Sequence, residues 1–223
     1  MAELWLVRHA QAAFGTENYD RLTELGWRQS RWLGEHFAER GIAFDRVARG
    51  TLRRHEETLA GICEALGPVP AAEPDAGLNE YDAESLLRAH TGLAEVRRGG
   101  DRREHFRVLR EALYAWTEGA LDARGTEPYE AFVAFRRRVM TALAEVRSSG
   151  ARRVLMVSSG GPISLILAEV LGMPMRGVVD LNLRTRNTGV TEFHFNERAI
   201  HCVGFNAVPH LDRPDRPDVV TYS

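Results

Sequence analysis

Lysine is absent from this sequence of 223 residues, so that all 29 of its basic residues are arginine. A preference for arginine over lysine commonly reflects the base composition of the genome. Guanidinium groups also suit the recognition of oxyanions. Acidic and basic residues nearly balance, with a formal net charge of −2. A general nucleic-acid or membrane-surface binder would carry a strong basic excess. We therefore expect neither nucleic acid nor membrane as a partner.

Cysteine is also scarce, because Cys63 and Cys202 are the only two. They form no disulfide framework, which indicates a reducing compartment. The N-terminus has no signal-peptide-like apolar region, and no apolar run is long enough to span a bilayer. We expect a cytoplasmic protein, and the sequence gives no indication of its oligomeric state. The eight histidines have no HExxH-like or Cys/His spacing, so we expect no metal site and no cofactor.

Apolar runs and helical periodicities alternate along the chain. They predict an α/β fold, a three-layer α/β/α sandwich around a mostly parallel central sheet. We expect one domain over residues 1–223, with a helical cap inserted at about 84–148 and a partly ordered tail from about 209. Strands are predicted at 4–7, 46–48, 153–158, 190–195 and 199–204. Helices are predicted at 26–40 and 162–171. A third helix should run from an N-cap at Thr51 to Leu66, and a fourth should begin near Pro128.

The segment "VLMVSSGGPI" at 154–163 predicts a buried strand that turns sharply into a helix. Pro162 suits the first position of that helix. The free backbone N–H groups and the dipole of a helix N-terminus favour an anion. We therefore expect Ser159 and Gly160 to face a bound anion.

Other polar residues follow the remaining predicted strands. Arg8 and His9 come after the first strand, and Arg54 opens the helix after the second. In open α/β sheets the site lies beyond the carboxyl ends of the strands. Guanidinium forks match phosphate geometry, and a neutral imidazole can attack phosphorus. These residues therefore predict an oxyanion pocket that contains a nucleophile.

Five motifs in order along the chain resemble the histidine phosphatase superfamily, also called phosphoglycerate mutase-like. The motifs are "LVRHA" at 6–10, "LTELGWRQS" at 22–30, "TLRRHEETLA" at 51–60, "LNEYDAE" at 78–84 and "VSSGGPI" at 157–163. The resemblance implies that His9 becomes phosphorylated and that Arg8 and Arg54 bind the phosphoryl group. It implies that Glu80 protonates the leaving group and then activates water. The helical block would be a cap that selects a small phosphorylated substrate.

The sequence departs from this family pattern at four positions. Ser159 stands where the family has a second catalytic histidine, which donates to the phosphoryl oxygens. Ala10, Gly15 and Gly50 stand where the pattern usually has Gly, Asn and Ser. Losing one preorganised donor to a transition-state oxyanion costs roughly 2.7–4 kcal/mol, and a serine hydroxyl can recover part of that. We expect a phosphatase with weakened activity.

Several alternatives remain open at this stage. The loss of several of the family's phosphate-binding residues together also fits a catalytically impaired pseudoenzyme that binds phosphate esters. A serine hydrolase using Ser159, with Asp180 and a histidine, has the right chain order but lacks the G-x-S-x-G motif. Arg54 could be a surface arginine near Glu57, and Glu80 an ordinary exposed carboxylate. The arginine-rich segment at 97–110 fits a solvated helix face, or a contact with an acidic part of the substrate.

Overall fold

A computed structural model of the protein describes residues 1–13, 20–93, 102–121 and 128–222. The strands are β1 (Ala2–Arg8), β2 (Arg46–Arg49), β3 (Glu73–Pro74), β4 (Arg153–Ser158), β5 (Val190–Phe195) and β6 (Ile200–Ala207). The helices are α1 (Glu24–Glu39), α2 (Arg53–Leu66), α3 (Ala83–Thr91), α4 (Arg102–Thr117), α5 (Phe132–Ser148), α6 (Gly160–Leu171) and α7 (Arg176–Asn182), with one 3-10 turn at Ala76–Leu78.

The strands form one sheet in the order β3-β2-β4-β1-β5-β6. Strand β4 is central and pairs in parallel with β1 and β2, whereas β5 and β6 are antiparallel to their neighbours. The predicted α/β class with a mostly parallel sheet is confirmed. Arg8 is paired with Ser158, and Arg49 with Val157. The carboxyl ends of β1, β2 and β4 therefore meet at one edge of the sheet.

The apolar core lies on both faces of the sheet, as the alternation along β4 shows. Val154 and Met156 pack into a cluster that includes Phe135 and Val139 of α5. Leu155 and Val157 pack into a second cluster on the other face, with Leu33, Phe37 and Ile62 of α1 and α2. A strand that is buried on both faces reads as a continuous apolar run, which is why β4 was recognisable in the sequence.

The helix ends differ from the predictions in places. Thr51 is not the N-cap of α2, which begins at Arg53 after Leu52. Thr51 is instead hydrogen-bonded to the side chain of Asn79. The backbone N–H of Thr51 donates to Asn79 Oδ1 at 2.8 Å, and Asn79 Nδ2 donates to the Thr51 hydroxyl at 2.7 Å. The first amide of α2 is satisfied by a distant carboxylate, because Arg53 N donates to Asp20 Oδ2 at 2.8 Å. When the capping group comes from a distant segment, the sequence around the start of the helix contains no capping residue that could be recognised.

Two other helices begin at positions different from those predicted. Helix α5 begins at Phe132, four residues after Pro128, and α6 begins at Gly160, so that Pro162 is its third residue rather than its first. The short elements β3 and α7 were not predicted, since two and seven residues carry too little periodicity. The described part of 84–148 contains α3, α4 and α5 and no strand.

The C-terminal segment packs against α1. Val208, Leu211 and Val219 form a small apolar cluster with Leu25 and Trp32. None of the helices in the described ranges combines the length and apolar character needed to cross a membrane.

Candidate active site

His9 lies at the carboxyl end of β1 and is buried, with 2% of its surface exposed. Its Nδ1 is 2.8 Å from the carbonyl oxygen of Ala10, which can only accept, so Nδ1 carries the proton and Nε2 carries a lone pair. Its main chain is held as well, because His9 N donates to Ser158 O at 2.8 Å and His9 O accepts from Asn187 Nδ2 at 3.1 Å. The ring is therefore fixed in a nucleophilic tautomer.

The electrostatics also favour a neutral His9. Burial lowers the pKa of His9 well below its usual range, and the positive charges of Arg54 and Arg8 lower it further. A protonated imidazole has no lone pair at Nε2 and cannot attack phosphorus. At neutral pH His9 is therefore in the form that a nucleophile requires.

Arg8 lies beside His9 and is also buried. Its guanidinium donates to the carbonyl oxygens of Thr185, at 2.5 Å, and Tyr222, at 3.0 Å. These contacts come from the loop before β5 and from the end of the chain. They hold the guanidinium in place without neutralising its charge.

The structure distinguishes Arg54 from its neighbour Arg53. The side chain of Arg53 is largely exposed and pairs with Glu57 at 2.6 Å, the arrangement considered for Arg54. Arg54 is buried and donates to Asp20 Oδ1 at 2.7 Å. Its charge lowers the pKa of both His9 and Glu80.

Glu80 occupies the N-terminus of α6. Both of its carboxylate oxygens accept from Gly161 N at 3.1 Å. Burial raises the pKa of Glu80 above its usual value, although the Gly161 amide and the charges of Arg54 and Arg8 oppose this effect. A carboxyl group with a raised pKa can hold a proton for a leaving group, so this environment suits general acid catalysis.

Ser159 is fully buried at the turn between β4 and α6 and makes no capping bond with its side chain. Its Oγ lies 2.7 Å from Nε2 of His55, a residue of α2. The His55 and His9 ring centroids are 5.8 Å apart. The next residue, Gly160, packs so tightly that an added Cβ would lie 2.2 Å from Asn182 Oδ1.

The structure thus brings His9, Arg8, Arg54, Glu80 and Ser159 to one edge of the sheet. Sequence reasoning missed His55 as a member of this group, although it directly follows Arg54 in the sequence. It also missed Asn187, since nothing in the local pattern marks a loop asparagine that bonds to the His9 carbonyl. Gly15 lies outside the described residues.

Other candidates lie apart from this group. Asp180 accepts from Tyr114 Oη at 2.7 Å, whereas the Oγ of Ser159 lies against Nε2 of His55. In the described part of the arginine-rich segment, Arg107 pairs with Glu104 and Glu111 on an exposed helix face. The first part of that segment, residues 97–101, lies outside the described ranges. Within the described ranges no group of three or more His, Cys, Asp or Glu residues could hold a metal ion.

A buried, neutral imidazole next to Arg8, at the same edge of a mostly parallel sheet as Arg54 and Glu80, suits chemistry on phosphoryl groups. The family model of the histidine phosphatase superfamily (branch 1) matches residues 4–208. The chain belongs to this superfamily, and the resemblance seen in its motifs is confirmed.

Individual relatives agree with this assignment. The chain is 30% identical over 179 residues to the adenosylcobalamin/alpha-ribazole phosphatase of Salmonella typhi, covering 77% of this chain and 80% of that protein. The fold is similar to that of the alpha-ribazole phosphatase from Shigella flexneri (TM-score 0.64, 23% identity, 92% and 96% of the two chains covered). It is also similar to that of the phosphoserine phosphatase from Entamoeba histolytica in complex with 3-phosphoglyceric acid (TM-score 0.69, 18% identity, 95% and 100% covered).

Proposed function

We propose that the protein hydrolyses a small phosphorylated metabolite through a phosphohistidine formed at His9. The observation that carries this proposal is the state of His9, whose Nδ1 bonds to the Ala10 carbonyl at 2.8 Å and whose Nε2 keeps its lone pair. The guanidinium groups of Arg8 and Arg54 hold the oxyanion for this nucleophile. The reaction uses no cofactor and no metal in this proposal.

In the first step, Nε2 of His9 attacks phosphorus and the bond between phosphorus and the ester oxygen breaks. Glu80 gives its proton to that oxygen as the product leaves. The raised pKa of Glu80 suits this role, because the carboxyl group is protonated at a higher pH than usual. The products are an alcohol, a phosphorylated His9 and an ionised Glu80.

In the second step, the Glu80 carboxylate takes a proton from water while the water oxygen attacks phosphorus. The bond between nitrogen and phosphorus breaks, its electron pair returns to Nε2, and inorganic phosphate is released. His9 is neutral again and Glu80 is again protonated. Ser159 and the backbone N–H of Gly160 complete the phosphate contacts in this proposal, while Gly161 N keeps its bond to Glu80.

The class of substrate is supported by what the relatives are named for. The matched proteins are an adenosylcobalamin/alpha-ribazole phosphatase and a phosphoserine phosphatase. Both names are those of phosphatases that act on metabolites, which supports a phosphorylated metabolite as the substrate. We further propose that the chain is one cytoplasmic domain, with α3, α4 and α5 as the cap that selects the substrate.

The test is a rapid-quench experiment with a panel of phosphorylated metabolites, including phosphoserine and alpha-ribazole phosphate. We expect an alkali-stable, acid-labile phosphohistidine and metal-independent release of phosphate. His9→Ala should remove both, with a loss of at least ~1000-fold in rate. Full activity of His9→Ala, or turnover without any phosphoenzyme, would overturn the proposal.

The pseudoenzyme remains the second candidate, favoured by the serine at position 159. It predicts saturable binding of phosphate esters with no phosphohistidine at any quench time. Detection of a burst of phosphohistidine decides against it. The same experiment therefore separates the two candidates.

A further inference from the structure

Arg138 is a partly buried arginine of α5 that the proposed reaction does not use. Its guanidinium lies against the stretch of chain that ends at Glu80. Nη1 donates to the carbonyl oxygens of Ala76, Gly77 and Asn79, at 3.3, 3.0 and 2.7 Å. Nη2 donates to the carbonyl oxygen of Glu80 itself at 3.4 Å. One side chain therefore holds four carbonyl groups of a stretch of five residues.

The other edge of the Arg138 guanidinium is fixed by Glu130. Nε and Nη2 donate to the two carboxylate oxygens of Glu130, at 2.7 and 2.9 Å. Such a bidentate pair fixes the plane of a guanidinium group as well as its position. The ring of Phe135 packs against the same group, with 4.7 Å between the guanidinium carbon and the ring centroid. Arg138 is therefore preorganised and can impose a geometry on the loop that it contacts.

The 3-10 turn before this loop lies directly against the backbone of α5. A Cβ at Gly77 would lie 2.9 Å from the carbonyl oxygen of Arg138 and 3.2 Å from Cβ of Ala142. Leu78 is fully buried, and its carbonyl oxygen accepts from Ser158 Oγ at 2.7 Å. The last carbonyl groups of a helical turn have no partners inside it, so other groups have to supply the donors. Arg138 supplies the donors for the carbonyl groups on either side of Leu78.

The chain beyond Glu80 is fixed by Tyr81. The Tyr81 ring packs against Trp116 of α4 and Phe135 of α5, with centroid distances of 5.2 and 6.0 Å. Its hydroxyl accepts from Asn182 Nδ2 of α7 at 2.7 Å. Glu80 is thus attached to a backbone segment that is held on both sides, and the guanidinium from α5 holds the side that precedes it.

We propose that Arg138 is a positioning residue that holds the Glu80 carboxyl group where it can protonate the leaving oxygen. The proposal rests on the proposed function, in which Glu80 is the acid. Arg138 acts through the backbone of the loop and does not touch the substrate. A proton donor has to lie within about 2.6–3.2 Å of the atom that it protonates, so a shift of the loop by about 1 Å impairs this step. Arg138 thereby links α5, a helix of the proposed cap, to the acid.

The experiment measures phosphohistidine formation by rapid quench from two esters. One is the most reactive alkyl ester of the metabolite panel, whose leaving oxygen needs a proton. The other is p-nitrophenyl phosphate, whose leaving group needs none. Arg138→Met keeps the apolar stem of the side chain and removes every donor. We expect it to lose about 10- to 100-fold in rate with the alkyl ester and less than about fivefold with p-nitrophenyl phosphate.

Further variants sharpen this measurement. Arg138→Lys keeps the charge but cannot form the bidentate pair, and it should lose about 3- to 30-fold with the alkyl ester only. Added to Glu80→Gln, Arg138→Met should cause less than about twofold further loss, because Arg138 acts through Glu80. Arg136→Met is the matched control, since Arg136 lies on the same helix and its Nη2 pairs with Glu169 of α6 at 3.0 Å. The control should stay within about twofold of the wild type on both esters.

Circular dichroism and the urea midpoint establish that each variant is folded. If Arg138→Met does not fold, Arg138→Lys carries the same test. Three results would overturn the proposal: equal losses on the two esters in a folded variant, an additive loss in the Glu80→Gln background, and a wild-type rate with the alkyl ester in Arg138→Met. Failure of the proposed function is distinguishable, since it appears in the wild-type protein, as the absence of phosphohistidine at every quench time.

Discussion

The two sides of the site are built in different ways. On the β1 side, the His9 ring is oriented by its own neighbourhood in the chain, because its Nδ1 bonds to the carbonyl of the next residue, and the distant residues Ser158 and Asn187 hold only its main chain. On the β4–α6 side, Ser159 depends on His55 of α2, 104 residues away in the sequence. The comparison shows that the His9 ring takes its orientation from an adjacent carbonyl, whereas the Ser159 hydroxyl takes its partner from a helix far away in the sequence.

The largest effect in this comparison is expected for Glu80→Gln. Glutamine keeps the shape and can still accept from Gly161 N, but it holds no acidic proton for the leaving oxygen. We expect kcat for an alkyl phosphate to fall by about 10²- to 10⁴-fold.

The matched measurement for Glu80→Gln uses p-nitrophenyl phosphate, whose leaving group needs no proton. Phosphohistidine formation from this ester should fall much less than formation from the alkyl ester. Equal losses on the two substrates would remove Glu80 from the role of general acid.

A smaller loss is expected for Gly161→Ala. A Cβ at this position would lie 2.1 Å from Glu80 Oε1 and 2.9 Å from the Tyr81 ring, so the carboxyl group must move. Displacement of a catalytic group by about 1 Å can cost about 100-fold, and we expect a loss of about 10- to 100-fold in kcat. Circular dichroism checks the fold, and Gly204→Ala serves as the control, because a Cβ there meets nothing within 4 Å. Unchanged activity would mean that the position of Glu80 does not matter.

The pH dependence of activity tests the two sides together. The lowered pKa of His9 keeps the nucleophile neutral until the pH falls far below 6.5, and the raised pKa of Glu80 keeps the acid protonated to a pH above 4.5. Activity should therefore fall on the alkaline side as Glu80 ionises and on the acid side as His9 is protonated. The profile of kcat/KM for an alkyl phosphate should be bell-shaped, with an acid limb set by His9 and an alkaline limb set by Glu80. Glu80→Gln should remove the alkaline limb and leave the acid limb in place.

The smallest expected effect is on the pH dependence of stability, and it arises from a buried histidine that takes no part in the proposed reaction. His210 bonds to Thr188 Oγ at 2.8 Å, and burial, followed by His36 and Arg216, lowers the pKa of His210 to about 3. The unfolded chain binds the proton near pH 6.5 and the folded protein does not, so stability is fully present above 6.5 and is lost as the pH falls toward 3. The urea midpoint should fall over this range, and His210→Gln should show a shallower fall. An identical pH dependence of the two proteins would contradict the assignment.

Much of the site could be predicted from the sequence because its residues stand at strand ends. The apolar runs of β1 and β4 mark where Arg8, His9 and Ser159 leave the sheet, and the order of the motifs indicated the superfamily. The start of α2 could not be predicted in the same way. Its first amide is satisfied by Asp20, a carboxylate 33 residues away, and the local sequence pointed to Thr51 instead.

The sequence alone determined the strands longer than two residues, the class of the sheet and the candidate nucleophile, because apolar periodicity and residue chemistry are local properties of the chain. The tertiary structure alone decided which histidine joins Ser159, which carboxylate occupies the N-terminus of α6, and which of two adjacent arginines is buried. These outcomes depend on distances between segments far apart in the chain. Hydrogen bonds and burial act over a few ångströms, so only the packed fold can set them.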